Sequence, residues 1–455
     1  MSSKKMLISA LSVGALAFLT ACGGSSGASP SSSAAAFSTS ATGELKAWAF
    51  DNADDVGKAR MKYAEEQMPE VNISLDQTSF DAQKFTTRTA GGDVPDVVQM
   101  NRSFVATYAA QDLIQPLDEC YAAHGVEADS YFYPAVTSQV KYRDNIWAVP
   151  QFYQPAAIIA NTDVLKDAGV TAEDIDTSQP EKLLAAIDKA YKEKGGNPSV
   201  LGFDPVATGQ VELWFLGLGG KLNEEDGTPA LDNPENVEVI NFLKKIYDAQ
   251  GGFAKVRSMS DSFDVFGDKN QYVKGQVAAQ VNAQWYVNVL SPYAKDINIT
   301  GIPFKDQDGQ PTTAASGTAF VIPAGAKNKD AACKWMLSLV KEEAWIAAGE
   351  ARAKTLESKS GSINTGLFTG SPGPDEAIRS RFVKTSGNQG FDETIKTYYD
   401  VLPHGKSIGS SPAGQTITTE LKNAVTSVLL GEKSPDQALK DAQEASVRSF
   451  EQFQE

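Results

Sequence analysis

From Glu44 onward the chain switches repeatedly between a two-residue and a helical periodicity, and this restricts its fold more than any single motif. Glu44-Leu-Lys-Ala-Trp-Ala-Phe50 alternates polar with apolar and reads as a strand. Lys58 to Met68 carries apolar residues at helical spacing and stops before Pro69. Val71-Asn-Ile-Ser-Leu75 reads as a second strand, Asp81 to Thr89 as a second helix closed by Gly91-Gly92, and Val97-Val98 opens a third strand. This order predicts an α/β fold with a mostly parallel sheet and helices on both faces. Helical spacing returns at Leu183 to Tyr191, Val237 to Tyr247, Ala331 to Val340 and Thr418 to Leu430. Ala156 to Ala160 and Ala319 to Ile322 are apolar runs suited to buried strands. Asp226-Gly227 and Asp308-Gly309 mark tight turns. With 455 residues, two or three folding units are expected.

Charge and composition exclude several functions. Acidic residues number 57 against 41 basic ones, a formal net charge of −16, so nucleic acid is repelled as a main partner. The two histidines, His124 and His404, lie far apart in sequence, which argues against a zinc site and places both on solvated surface. No metal and no cofactor is expected. Gly23-Gly-Ser25-Ser-Gly27 matches a nucleophile-elbow pattern but has no strand before it and no helix after it. Around Gly405-Lys406-Ser407 the phosphate-loop pattern lacks its first glycine, because Asp400 stands there, and Gly409 to Thr416 has Gln415 in place of the lysine. Gly217-Leu-Gly219-Gly220 lacks the last glycine of a dinucleotide fingerprint. Asp306-Gln-Asp308-Gly309 lacks the rest of a calcium loop. None of these meets its structural context. With so many acids, a carboxylate pair of glycosidase type could assemble from separate loops, and that enzyme reading stays open.

The first stretch reads as an export signal. Lys4 and Lys5 precede the apolar run Leu7 to Thr20, which is shorter than the roughly 20 residues a spanning helix needs. It ends Leu19-Thr20-Ala21-Cys22, which resembles the lipobox of bacterial lipoproteins and implies a signal peptide over 1–21 and lipid on Cys22. Residues 22–43 are almost entirely Ser, Ala and Gly and read as a flexible tether. Cys120 and Cys333 remain; they could pair, or persist as two buried thiols.

Several segments, taken in order, carry a family resemblance. They are Gly92-Asp-Val-Pro-Asp-Val-Val98, Leu113-Ile-Gln-Pro-Leu-Asp118, Tyr142-Arg-Asp-Asn-Ile-Trp-Ala-Val-Pro150 and Ile158-Ile-Ala-Asn-Thr-Asp-Val-Leu-Lys-Asp-Ala-Gly169. Val273-Lys-Gly-Gln-Val-Ala-Ala279 with Asn282-Ala-Gln-Trp285, Ser316-Gly-Thr-Ala-Phe-Val-Ile-Pro323 and Lys327-Asn-Lys-Asp-Ala-Ala332 with Lys334-Trp-Met-Leu337 continue the series. The set resembles the carbohydrate-binding family of extracellular solute-binding proteins that serve ATP-binding-cassette importers. Two stretches, Thr171 to Leu183 and Gly349 to Leu356, depart from the family's pattern.

The resemblance implies a two-lobed, Venus-flytrap fold of the periplasmic-binding-protein type II class, with a mostly parallel sheet in each lobe. It implies lobe one over 44–154 plus 317–351 and lobe two over 155–316 plus 352–455. The expected partners are an oligosaccharide, the transmembrane permease subunits and, through Cys22, the extracellular face of the cytoplasmic membrane, for a monomer that is not an enzyme. A binding protein for another solute, such as a peptide or polyamine, shares this architecture and stays open.

Sugar capture calls for aromatic faces against the C–H side of a ring and for amides or carboxylates that meet hydroxyls. Candidates near strand ends and helix starts are Asp51, Asn52, Phe80, Asn101, Arg102, Gln151, Tyr153, Gln210, Trp214, Asn282, Trp285 and Ser316. Trp285 stands where the resembled family stacks a tryptophan on sugar. Trp214 opens an apolar helix and could equally be a core residue, and Asp51 or Asn52 could cap the next helix. Trp48, Trp147, Trp335 and Trp345 read as packing residues.

Overall fold

The first strand, expected over Glu44 to Phe50, forms at Gly43–Trp48, in which Leu45, Ala47 and Trp48 are buried while Glu44 and Lys46 face solvent. The computed structural model describes residues 36–50, 54–358 and 362–453, so the expected export signal, Cys22, most of the expected tether, Asp51 and Asn52 lie outside the described residues. Helix Asp55–Glu66 follows, capped by Asp54, whose Oδ1 accepts the Gly57 N–H at 2.8 Å. Strand Val71–Asp76, helix Ala82–Ala90 and strand Val97–Asn101 complete the alternation. The later helices form at Pro180–Ala190, Pro234–Asp248, Lys329–Val340 and Gly414–Leu429.

Two main sheets result. The five-stranded sheet runs in the order Val71–Asp76, Gly43–Trp48, Val97–Asn101, Thr318–Val321, Val149–Pro150. Its first three strands are parallel, but Thr318–Val321 is antiparallel to both neighbours. The three-stranded sheet places Ala156–Asn161 between Ala279–Ala283 and Ile299–Ile302 and is antiparallel throughout. The expectation of a mostly parallel sheet in each half is therefore corrected. Ala156–Asn161 is buried along its whole length, and a central strand covered on both faces shows the same apolar run whichever way its neighbours point.

Two main cores form. Leu45, Trp48, Val98, Phe320 and Trp335 belong to the first, which also takes Ala157, Ile159 and Ile299 from one face of the three-stranded sheet, while Ile158, Trp214, Ile240, Val281 and Phe304 belong to the second. Trp48, Trp147, Trp335 and Trp345 are all buried, as their reading as packing residues requires. Cys120 and Cys333, 213 residues apart, are joined as a disulfide. His404 is exposed, but His124 is half-buried, and that burial, with Lys334 and Lys341 adding to it, lowers its pKa. No helix among the described residues is long and apolar enough to cross a membrane.

The chain leaves the first sheet after Pro150 and returns to it at Thr318, and these two connections run side by side. Gln151 N–H donates to Thr318 O at 3.1 Å and Gln154 N–H to Ser316 O at 2.9 Å. Arg102 sits between them: Nη2 donates to Ala315 O at 2.8 Å, Nη1 to Phe152 O and to Thr318 O at 3.3 Å, and Nε to Gln139 Oε1 at 2.8 Å.

Candidate functional site

Strand Ala279–Ala283 sorts its side chains by the pleat. Ala279, Val281 and Ala283 occupy one phase, with Ala279 and Val281 in the second core, while Gln280 and Asn282 line a cavity of about 890 Å³. The segment around Asp204 lies beside this strand, with Asp204 N–H donating to Ala279 O at 2.9 Å and Val281 N–H to Asp204 O at 3.0 Å. Thr208 follows, and its Oγ1 accepts the Ala283 N–H at 3.1 Å. Helix Trp285–Leu290 starts directly after the strand, and this brings Trp285 and Tyr286 to the same cavity. Phe253, Val256, Arg257 and Ser260 enter from helix Phe253–Ser260, Phe263 and Val265 from the loop after it, and Lys422, Val425 and Leu429 from helix Gly414–Leu429.

A buried polar network holds this wall. Gln271 Nε2 donates to Gln280 Oε1 at 2.8 Å and to Tyr286 Oη at 2.7 Å. Gln280 Nε2 donates in turn to Asp204 Oδ2 at 3.0 Å, and the Ser260 hydroxyl reaches the same oxygen at 3.3 Å. Burial pushes the Asp204 carboxyl up, against the hydrogen bonds from Gln280, Val206 N–H and Ser260 and the charge of Arg257. Asn282 is fixed from both ends: its Nδ2 donates to Tyr272 Oη at 3.4 Å and its carbonyl accepts from Tyr398 Oη at 2.8 Å. The Trp285 indole, half-buried, has Tyr286 at its edge and Phe266 stacked beside it at 5.9 Å between ring centroids. Arg257 is ion-paired with Asp261 at 2.9 Å. The charged residues among the described lining are Asp204 and Asp261 against Arg257 and Lys422, a formally balanced set.

The structure divides the sequence candidates into groups. Asn282 and Trp285 line the large cavity. Asn101 and Ser316 line a narrower pocket of about 70 Å³ together with Ser103, Gln139, Glu212 and Lys406, and Val211 and Lys422 border both spaces. Asn101 also caps the short turn after its strand, accepting the Ser103 N–H at 3.0 Å. Gln210 is buried, with Nε2 on Gln154 O at 3.3 Å and Oε1 without a partner among the described residues.

The remaining candidates are engaged by protein. Arg102 is the clamp on the two connections. Gln151 is fully buried, taking a hydrogen bond from Arg60 Nη2 at 3.0 Å and giving one to Gln99 Oε1 at 2.5 Å. Tyr153 is buried against Tyr133, and its hydroxyl donates to Leu402 O at 3.3 Å. Trp214 lies in the second core between Phe203, Phe242 and Phe304, with Nε1 donating to Pro205 O at 2.8 Å. Phe80 packs among Trp48, Phe85, Phe104 and Tyr108.

Asp204, Arg257, Gln271, Gln280 and Tyr286 escaped the sequence reading. Gln280 carried a signal, because a polar residue alternating with alanine and valine in a strand points away from the core. Gln271 carried none; its place depends on a loop closing over the strand.

Chain-wide comparisons agree with this architecture. The sn-glycerol-3-phosphate-binding periplasmic protein UgpB of Shigella dysenteriae is 25% identical over 388 residues, covering 80% of this chain and 81% of its own. A maltooligosaccharide ABC transporter solute-binding lipoprotein of Streptococcus pneumoniae is 23% identical over 298 residues, covering 64% of this chain and 65% of its own. The solved structure of CpMnBP1 with mannobiose bound superposes with a TM-score of 0.70 at 21% identity, covering 89% of this chain and 100% of that one. The fold is thus the two-lobed type II periplasmic-binding-protein fold. The family model of bacterial extracellular solute-binding proteins matches residues 51–344, more than half of the sequence, and the chain belongs to that family.

Proposed function

We propose that this chain is the carbohydrate-binding subunit of an ATP-binding-cassette importer, which captures an oligosaccharide by hinge closure and delivers it to the permease without altering its bonds. The cavity carries this reading. Its wall joins aromatic faces, Trp285, Tyr286, Tyr247 and Phe253, to uncharged amides, Gln271, Gln280 and Asn282. That is the chemistry an uncharged ring with many hydroxyls selects. A phosphate ester needs a cation in excess, whereas Arg257 is neutralised by Asp261 and the described lining is balanced. A cationic polyamine needs an acid surplus, which the same balance denies.

On this reading the lobes are 44–154 plus 317–351 and 155–316 plus 352–455, hinged where the two connections run together, and Asn101 and Ser316 meet the ligand as the narrow pocket closes. Acyl chains on Cys22 hold the monomer at the extracellular face of the cytoplasmic membrane, with 22–43 as tether. The maltooligosaccharide-binding relative of Streptococcus pneumoniae is a lipoprotein.

Isothermal calorimetry and thermal shift against mannobiose, mannotriose, maltooligosaccharides and sn-glycerol-3-phosphate test the ligand class. Saccharides are expected to bind and raise the melting temperature. Stabilisation by the phosphate ester alone, or release of reducing sugar, overturns the reading. Loss of Cys22→Ala protein from the membrane fraction tests the anchor.

A further inference from the structure

Phe266 is a large apolar side chain left 72% exposed, yet its loop is pinned on both sides. Phe263 N–H donates to Ser260 O at 3.1 Å, and Tyr286 Oη donates to Val265 O at 3.2 Å. Beyond it, Gly267 N–H donates to Asp264 O at 3.1 Å, Lys269 N–H to Asp264 Oδ2 at 3.2 Å, and Asn270 Nδ2 to Gly267 O at 3.1 Å. The exposure is therefore built in rather than a result of fraying. The ring lies within 19° of the plane of Trp285, with centroids 5.9 Å apart. Trp285 belongs to the cavity wall, and so do Phe263 and Val265 from the loop that carries Phe266. The Trp285–Phe266 pair thus carries aromatic surface from the cavity wall outward to solvent.

We propose that Phe266 and Trp285 form a stepped aromatic platform on which an outer ring of the saccharide stacks after the inner rings have filled the cavity, so that Phe266 sets the preference for chain length. This rests on the oligosaccharide reading above. A preset ring face loses little conformational freedom on binding, and each stacked aromatic contact adds affinity beyond its buried area. A lone surface phenylalanine is unremarkable in itself; its alignment with a cavity-lining tryptophan and its anchored loop give it a ligand to serve.

The test is calorimetry on the intact protein with gluco- and manno-oligosaccharides of increasing length. In the wild type, affinity is expected to rise with length beyond the disaccharide. Phe266→Ala is expected to reduce the ratio of longest-chain to disaccharide affinity about tenfold. Phe266→Tyr, which keeps the ring face, is expected to restore that ratio, and Phe266→Leu, which keeps apolar bulk only, is not. A ratio unmoved by Phe266→Ala, restoration by leucine, or a wild type indifferent to length each overturn the platform while leaving sugar capture intact. A wild type that binds no saccharide overturns both.

Discussion

Arg102 Nη2 donates to the carbonyl oxygen of Ala315 at 2.8 Å, and the same guanidinium reaches Phe152 on the other connection between the sheets. One planar cation therefore locks two antiparallel connections into a single ribbon. Gly317 stands against it: a Cβ there would lie 2.2 Å from Phe152 O and 2.4 Å from Arg102 Nη1, at a φ of +157°. Arg102→Met leaves buried carbonyls and the Gln139 amide unpaired, at a cost of roughly 1–3 kcal/mol for each unsatisfied group. The expected result is a total loss of about 3 kcal/mol or more in urea unfolding. Arg102→Lys recovers little of it, since an ammonium cannot span Gln139 and Ala315 together. A lysine variant of normal stability but weakened sugar binding would instead make Arg102 a ligand contact.

Trp285→Ala removes the cavity's half-buried indole and the partner of Phe266. Sugar affinity is expected to fall by about 2–4 kcal/mol, the range for a central aromatic anchor. Calorimetry with the best-binding saccharide measures it, and unchanged affinity removes Trp285 from the site.

Asp375 lies in the first turn of helix Pro372–Phe382 and is 2% exposed, with Thr369 N–H donating to its Oδ1 at 2.7 Å. Burial pushes its carboxyl up to about 7, against the hydrogen bonds it accepts. Because the folded state keeps the proton where the unfolded chain has lost it, Asp375 makes stability fall as pH rises from about 4 to about 7. Asp375→Asn is expected to flatten that slope and to exceed the wild type's unfolding free energy at pH 8 by on the order of a few kcal/mol, while matching it near pH 4. Parallel slopes for the two proteins across this window would remove Asp375 as the cause.

The Cys120–Cys333 bridge closes a long loop, and its loss removes that constraint from the unfolded chain. Reduction, or Cys333→Ala, is expected to cost about 2–5 kcal/mol in denaturant unfolding. Identical midpoints with and without reductant would show that the bridge contributes nothing.

Much of the scaffold was legible because it depends on local pattern. The alternation after Glu44 located strands and helices to within a few residues, and the apolar run at Ala156 located the central strand of the second sheet. Strand direction was not legible, since burial on both faces erases the difference between parallel and antiparallel neighbours. The site was only partly legible. Trp285 and Asn282 came from a motif that spans strand and helix start, and they line one cavity. Arg102, Gln151, Tyr153 and Trp214 share the same residue types and strand-end or helix-start positions, yet their polar atoms are engaged by other protein groups, many of them distant in sequence (Phe152 for Arg102, Arg60 for Gln151, Leu402 for Tyr153) and one nearby (Pro205 for Trp214). Only tertiary closure separates a side chain that meets a ligand from one that meets its own backbone.

The sulfur link also changes what a protease can accomplish. Helices Asp118–Ala123 and Lys329–Val340 hold its two ends, and every strand of the three-stranded sheet lies between them in sequence. A single nick anywhere in that stretch opens a covalent ring rather than severing a polymer. The clipped molecule stays in one piece under oxidising conditions and falls into two fragments only when thiol is added.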